Sequence, residues 1–269
     1  MKTTVQSLRT HLRLFYVFIV FLSSTAVMTA QDAFITTWQV TSSDLSIEIP
    51  MNVAASGAYL YDIDFGDGNA FEDVVNITTH TYDGPGIYTV SISGEFPHFP
   101  MSSTDAANRA KLLSVEQWGS IEWESMSNML SSCPNVVVNA TDAPNLSQAT
   151  SMAFMFANTP SFNQFIGHWN TANIEDMQGV FWGATQFNQP LNNWNVSNVT
   201  NMWRMFYQAS SFNQPLDQWD VSNVTNNGQS NGMNEVFYQA ASFDQDLSSW
   251  QFITPNLGGF LSYSGLSVD

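Results

Sequence analysis

The chain has 269 residues, enough for one large or two modest domains, with 44 % hydrophobic but only 11 % charged residues. That charged share is far below the usual quarter, so Asn, Gln, Ser and Thr must supply the polar surface and ionic networks are excluded as the main support. Twenty-three acids against 6 bases give a formal charge of -17, which argues against nucleic acid and anionic membrane as partners, since both need Lys and Arg to neutralise phosphate. The single cysteine, Cys133, excludes an internal disulfide framework.

Residues 1–30 read as a signal peptide. Lys2, Arg9 and Arg13 form a positive region, and Leu14 to Leu22 is an apolar stretch too short to span a bilayer comfortably. Small residues follow, with cleavage after Ala26 or Ala30; Ala30 is favoured because the polar Gln31-Asp32 comes next. Removal of this segment leaves 3 bases against 23 acids. No later stretch is apolar enough to cross a membrane.

Residues 31–100 predict a small β-domain. Leu45 to Ile49, Tyr59 to Phe65 and Tyr88 to Ile92 alternate apolar and polar, the period of half-buried strands. Gly66-Asp67-Gly68 and Gly84-Pro85-Gly86 are turn signals between them. Asp62, Asp64 and Asp67 suggest a calcium site, because hard cations take clustered carboxylates. The competing and preferred reading is that Asp67 serves the turn through hydrogen bonds to backbone. His80 is read as a packed or hydrogen-bonded residue.

The run Tyr61-Asp62-Ile63-Asp64-Phe65-Gly66-Asp67-Gly68, then His80-Thr81-Tyr82, then Gly86-Ile87-Tyr88-Thr89-Val90, resembles the PKD (polycystic kidney disease) repeat. The resemblance covers roughly 60 residues and implies an immunoglobulin-like β-sandwich used as a spacer or adhesion module. Phe65 stands where that family more often has Trp.

Residues 101–111 read as a linker, and 112–269 as about six repeats, the last incomplete. Met126, Met152, Met177, Met202, Met233 and Leu257 mark position zero of successive copies, and Trp169, Trp194, Trp219 and Trp250 repeat with them. The longer step before Met233 contains Asn227 to Gly232, read as a surface loop. Apolar residues at zero, +3, +4 and +7 (Met202, Met205, Phe206, Ala209) predict one stripe of a short helix, capped by Thr200 or Asn201. Leu191-x-x-Trp194-x-Val196 predicts a short strand before it. One such unit cannot bury its apolar edge alone, so neighbours must stack. The predicted shared core is Met152, Phe156, Trp169, Met177, Phe181, Trp194, Met202, Phe206, Trp219, Phe237 and Trp250. Cys133 falls at +7, in a column of small residues with Thr159, Ala184, Ala209 and Ala240, and reads as a small hydrophobe.

The pattern M-x-x-M-F-x-x-A-x-x-F-N-Q-P-L-x-x-W-x-V-S-N-V-T-N resembles the BspA-like leucine-rich-repeat surface proteins of bacteria. That resemblance implies extracellular display, adhesion and no catalytic residue. The expected fold class is therefore α+β: an N-terminal immunoglobulin-like β-sandwich followed by a leucine-rich-repeat-like solenoid of short strands and short helices. Because the chain stops inside a copy, it is expected to be a piece of a longer protein.

No catalytic motif and no cofactor signature stands out. Glu175/Asp176 and Asp244/Asp246 read as solvated loop pairs. The sequons at Asn195, Asn198 and Asn223 arise from the repeat itself. One column suggests binding: +5 carries Trp182, Tyr207 and Tyr238, which on a helix point about 140° from the stripe. Exposed aromatic rows stack on sugars or anchor proteins; the alternative is that they cover neighbouring coils. The expected function is secreted, non-enzymatic, cell-surface binding or adhesion toward an extracellular protein or glycan. The alternatives are a self-associating spacer of a surface layer and an accessory module of a polysaccharide-acting system.

Overall fold

The structure is a computed structural model that describes residues 32–52, 59–76, 78–225, 232–251 and 257–266. The expected signal peptide lies outside the described residues, as does nearly all of the expected loop at 227–232. No helix among the described residues is long and apolar enough to cross a membrane.

Among the described residues eight strands occur in chain order: β1 (Phe34–Val40), β2 (Ser46–Ile49), β3 (Leu60–Asp64), β4 (Ala70–Val74), β5 (Thr78–Thr81), β6 (Gly86–Glu95), β7 (Leu112–Gln117) and β8 (Val137–Val138). Helix α1 (Ala106–Lys111) follows a short 3-10 turn at Met101–Ser103. Strands run β4-β3-β6-β1-β7-β8 in one sheet, and β2 pairs β5 in a second, two-stranded sheet. The alternation read from sequence holds in β2, where Ile47 and Ile49 are buried, and in β3, where Tyr61 and Ile63 are buried and their neighbours are not; β1, which the sequence reading did not single out, alternates in the same way. Gly66 sits at φ +75°, and a Cβ there would strike the Thr89 carbonyl, so the turn after β3 requires glycine.

This architecture overturns the expected immunoglobulin-like sandwich followed by a leucine-rich-repeat-like solenoid. The larger sheet does not end near residue 100. Its β1 edge is taken by β7, antiparallel, and β7 is then paired in parallel by β8 from within the repeat segment. The segment expected as a linker holds α1, whose Asp105 accepts the Asn108 N–H at 2.7 Å.

The repeats also differ from expectation. Beyond α1 the described residues contain no helix. Each copy is a run of tight turns. Within a copy the N–H at +3 donates to the carbonyl at zero (Met155 to Met152, 3.0 Å; Met205 to Met202, 3.0 Å), and +7 donates to +4 (Ala184 to Phe181, Ala209 to Phe206, both 3.0 Å). Residues at +2 and +6 have positive φ in every copy: Asn128 and Ser132, Phe154 and Asn158, Gly179 and Gly183, Arg204 and Gln208, Glu235 and Gln239, Gly259 and Tyr263. A positive φ at the third residue is what a type II turn needs and what a right-handed helix forbids. The spacing zero, +3, +4, +7 fits both a helix stripe and two successive four-residue turns, so periodicity alone chose wrongly. The expected strand at Leu191–Val196 is likewise a turn, Trp194 N–H donating to Leu191 at 2.9 Å. Among the described residues, extended pairing between copies is limited to single bridges such as Ser151 with Asp176 and Asp176 with Asn201. Asn201 does not cap a helix; its side chain accepts the Trp203 N–H at 3.1 Å in an Asx turn.

Copies are joined through the remaining N–H groups. Those at zero, +2, +4 and +6 donate to carbonyls one place earlier in the next copy: Met177 to Asn201 (2.9 Å), Gly179 to Trp203, Phe181 to Met205 and Gly183 to Tyr207 (each 2.8 Å). Inside, Phe156, Phe181, Phe206 and Phe237 form one file of parallel rings at 5.4–5.7 Å, and Phe162, Phe187, Phe212 and Phe243 form a second at 5.5–6.0 Å. Each burial is worth ~2 kcal/mol, realised only when the next copy is in place. The indoles of Trp194, Trp219 and Trp250 each donate to a carbonyl of the preceding copy at 2.9–3.0 Å.

The β-sheet segment closes the near end of this stack. His98 Nε2 donates to Ser127 O at 2.7 Å and Met101 N–H to Met129 O at 3.4 Å, filling carbonyls that an earlier copy would otherwise occupy. Phe34, Phe99, Trp118 and Trp123 pack behind them.

Two tests follow from this geometry. Ser132→Gly relieves a positive φ and should raise unfolding stability by ~1 kcal/mol, whereas Gly179→Ala, whose new Cβ meets the Phe154 ring, should lower it by ~1–3 kcal/mol; urea melts read both. Burial holds His98 below its ordinary value of 6.5, opposed by its bond to Ser127. The folded state thus prefers the neutral ring, while the unfolded chain takes a proton as pH falls through about 6.5. Stability should be full above that pH and fall below it until the folded pKa is passed. Thermal melts from about pH 7 to 5 should show this loss, and His98→Asn should flatten it.

Candidate interaction ridge

The backbone at +5 is fixed on both sides. Its N–H closes a turn onto +2 (Trp182 to Gly179, 3.1 Å; Tyr207 to Arg204, 3.1 Å; Tyr238 to Glu235, 3.2 Å). Its carbonyl receives the +6 N–H of the preceding copy (Asn158 to Trp182, 2.6 Å; Gly183 to Tyr207 and Gln208 to Tyr238, both 2.8 Å). The side chain therefore emerges at the same place in each copy, partly exposed. Trp182 and Tyr207 lie 5.1 Å apart at 56°, and Tyr207 and Tyr238 stack at 4.9 Å and 9°. Tyr263, 74 % exposed, meets Tyr238 edge-on at 5.5 Å and ends the file; Phe154 begins it, 6.1 Å from Trp182.

Sequence reasoning singled out Trp182, Tyr207 and Tyr238, which the structure places side by side, but missed the residues packed around them. Arg204 lies with its guanidinium 4.8 Å from the Trp182 centroid, 4.4 Å from Trp203 and 4.8 Å from Tyr207, and its Nε pairs with Glu235. Phe154, Trp203, Arg204 and Tyr263 each occur once in columns that vary, so periodicity gave no signal for them. Partial burial holds the Tyr238 phenol above its ordinary value, helped by Tyr207, Tyr263 and Glu235.

The stacking has a chemical consequence. The faces of Tyr207 and Tyr238 are turned toward each other along the file, and Arg204 lies over Trp182. Stacking thus covers the mutually facing sides of Tyr207 and Tyr238, and the partly exposed Arg204–Glu235 pair stands beside them. Face-on stacking of a sugar needs an uncovered ring face, and the exposed Tyr263 is where the ridge best offers one.

The other candidate residues are structural. All of Met152, Phe156, Trp169, Met177, Phe181, Trp194, Met202, Phe206, Trp219, Phe237 and Trp250 are buried. Cys133 is buried at +7 with Thr159, Ala184, Ala209 and Ala240, and burial pushes its thiol up to about 12. Asp62 accepts the Asp73 N–H at 3.0 Å, Asp64 the Gly66 N–H at 2.8 Å and Asp67 the Asn69 N–H at 3.0 Å. Asp67 also pairs with His80 Nε2 at 2.7 Å, and His80 stacks on Phe65 at 4.2 Å. Burial raises the Asp67 carboxyl, but the bonds from His80 and Asn69 outweigh it and hold the group low. Asp64 and Asp67 are spent on the turn after β3 and Asp62 on a bond across to β4; among the described residues no group of three or more His, Cys, Asp or Glu could hold a metal ion.

A polar file on another side explains the repeated Phe-Asn-Gln. Asn163 Oδ1 accepts from Asn188 N–H (2.9 Å) and Gln189 Nε2 (3.1 Å), Asn188 does the same for Asn213 and Gln214 (both 2.9 Å), and Asn213 for Asp244 and Gln245 (2.9 and 2.8 Å). Asn198 and Asn223 likewise donate to carbonyls of the preceding copy at 2.7 and 2.6 Å, so two of the sequon amides are in use.

Residues 124–250 match the family described as "Mycoplasma protein of unknown function, DUF285". The matched span holds the Phe files, the Asn ladder and the ridge from Phe154 to Tyr238; it leaves out Tyr263 and the strands β1–β7. No curated protein and no solved structure matches the chain. The DUF285-like span therefore brings no known activity to the ridge.

The ladder is testable. Asn188→Ala strips the acceptor from the Asn213 N–H and should cost ~1–3 kcal/mol in urea unfolding, while Asn188→Asp, which keeps an acceptor oxygen, should cost less.

Proposed function

We propose that this chain is an exported, non-catalytic binding or adhesion protein of the cell surface, with the aromatic ridge as its contact surface. The observation that carries this reading is the file of partly exposed rings from Phe154 to Tyr263, with Trp182, Tyr207 and Tyr238 held in one register by the coil hydrogen bonds. Rows of this kind anchor macromolecules. The leader-like residues 1–30 and the BspA-like resemblance of the repeats support export and display. The high negative charge disfavours nucleic acid.

A protein partner fits better than a glycan, because the Tyr207 and Tyr238 faces are turned to one another and the charged Arg204–Glu235 pair lies beside them. That same internal use of the faces favours, as a second reading, a spacer in a surface layer or matrix.

Arrays of extracellular proteins and of glycans distinguish these readings. The wild-type chain should capture proteins, and a Trp182→Ala, Tyr207→Ala, Tyr238→Ala variant should lose at least tenfold in affinity with unchanged circular dichroism. Unaltered capture by the variant would remove the ridge from consideration. Capture of glycans instead of proteins would overturn the choice of partner, and capture of neither would leave the spacer.

A further inference from the structure

The ridge and the residues flanking it occupy columns +1, +2, +5 and +6 of the coils, most of them partly or fully exposed. From Ser127 to Tyr263 they hold Ser, Ala, Gln, Asn, Gly and the aromatic residues, and their charged members are Arg204 and Glu235. On a chain of formal charge -17 this strip is neutral. The other acids lie off this strip, and where two copies bring them together the approach costs energy in water and more as water is excluded.

The two charges are also incompletely used. Arg204 bonds Glu235 through Nε and one carboxylate oxygen, Oε2. Among the described residues no acceptor engages the terminal guanidinium nitrogens and no donor engages Oε1. The side chains are 25 % and 30 % exposed, so a partner can reach them. They stand one coil apart, and Tyr207 and Tyr238 in the same coils are 4.9 Å apart. A donor beside an acceptor, on a neutral strip, is complementary to its own image turned through 180°: each Arg204 then faces Glu235 of the other copy. Identical patches meeting this way form a closed two-fold interface.

We propose that the ridge pairs with the ridge of a second copy of this chain across a two-fold axis between Arg204 and Glu235. This rests on the ridge being the contact surface and names its partner. Ring edges of the two files pack against each other, and the two crossed ion pairs set the register. Coil spacing is the same on both copies, so edges and gaps match along the whole file.

Sedimentation velocity on the purified chain, over a hundredfold range of concentration, tests this. The wild type should shift from monomer to dimer, without larger species. Arg204→Glu and Glu235→Arg should each weaken dimerisation at least tenfold, because each sets like charges opposite one another. An equimolar mixture of these two variants should regain the dimer, since both crossed contacts become opposite in charge; loss of fold in either variant cannot produce that recovery. The double variant Arg204→Glu, Glu235→Arg should also dimerise. A wild type that stays monomeric, a mixture that stays monomeric, or a dimer indifferent to both reversals overturns the pairing. If the monomeric wild type still captures an array protein through Trp182, Tyr207 and Tyr238, the pairing alone has failed and the ridge remains a contact surface.

Discussion

The N–H groups at zero, +2, +4 and +6 of each copy donate to the next copy, and the rest of the repeat segment depends on that division. In a helix every N–H is spent inside its own segment. Here those four are spent between coils, while +3, +5 and +7 close turns within them, onto zero, +2 and +4. That arrangement forces positive φ at +2 and +6, and Gly179 and Gly183 accept it at least cost. It also fixes the coil spacing near 5 Å, and every column inherits that spacing. Phe rings at +4 fall into parallel stacks, Asn side chains reach the next coil's N–H, and indoles reach the previous coil's carbonyl.

A stack built this way has two unlike ends. One presents carbonyls, the other N–H groups. The sheet segment meets the carbonyl end with His98 and the Met101 N–H, and it brings a block of aromatic side chains against Trp118 and Trp123. The sheet and the coils are thus one hydrophobic core, continuous from Phe34 to Phe260. Strand β8, drawn from the repeat segment into the sheet beside β7, expresses the same continuity in hydrogen bonds.

The ridge is where backbone demands are relaxed in favour of side-chain contacts. Phe154, Arg204, Glu235 and Tyr263 all occupy positive-φ positions that glycine fills elsewhere in the same columns. Large residues at such positions are disfavoured by ~1–2 kcal/mol each, and strained positions cluster at functional surfaces. Arg204 recovers part of that through three aromatic rings and Glu235. Non-glycine residues fill the same columns off the ridge, Asn128, Ser132, Asn158, Gln208 and Gln239 among them, so what sets the ridge apart is the size of these side chains and the contacts they make.

Composition and spacing by themselves determined the repeat length, the buried columns and the small residue needed at Cys133, because each is a matter of which side chain recurs where. The β-turn at Gly66 and the turn role of Asp67 were legible for the same reason: local chemistry decides them. The path of the backbone was not, since apolar residues at zero, +3, +4 and +7 suit a helix and a chain of turns alike, and the choice lies in hydrogen bonds to residues some 25 positions away. Nor was the reach of the sheet, because Leu112–Gln117 and Val137–Val138 become strands only by lying beside β1 and each other. The Asn ladder was visible as a repeated Phe-Asn-Gln but silent about its purpose until the next coil supplied the donors. Tertiary structure alone assembled Phe154, Trp203, Arg204 and Tyr263 around the predicted aromatic column, since stacking brings together residues that share neither period nor position in sequence.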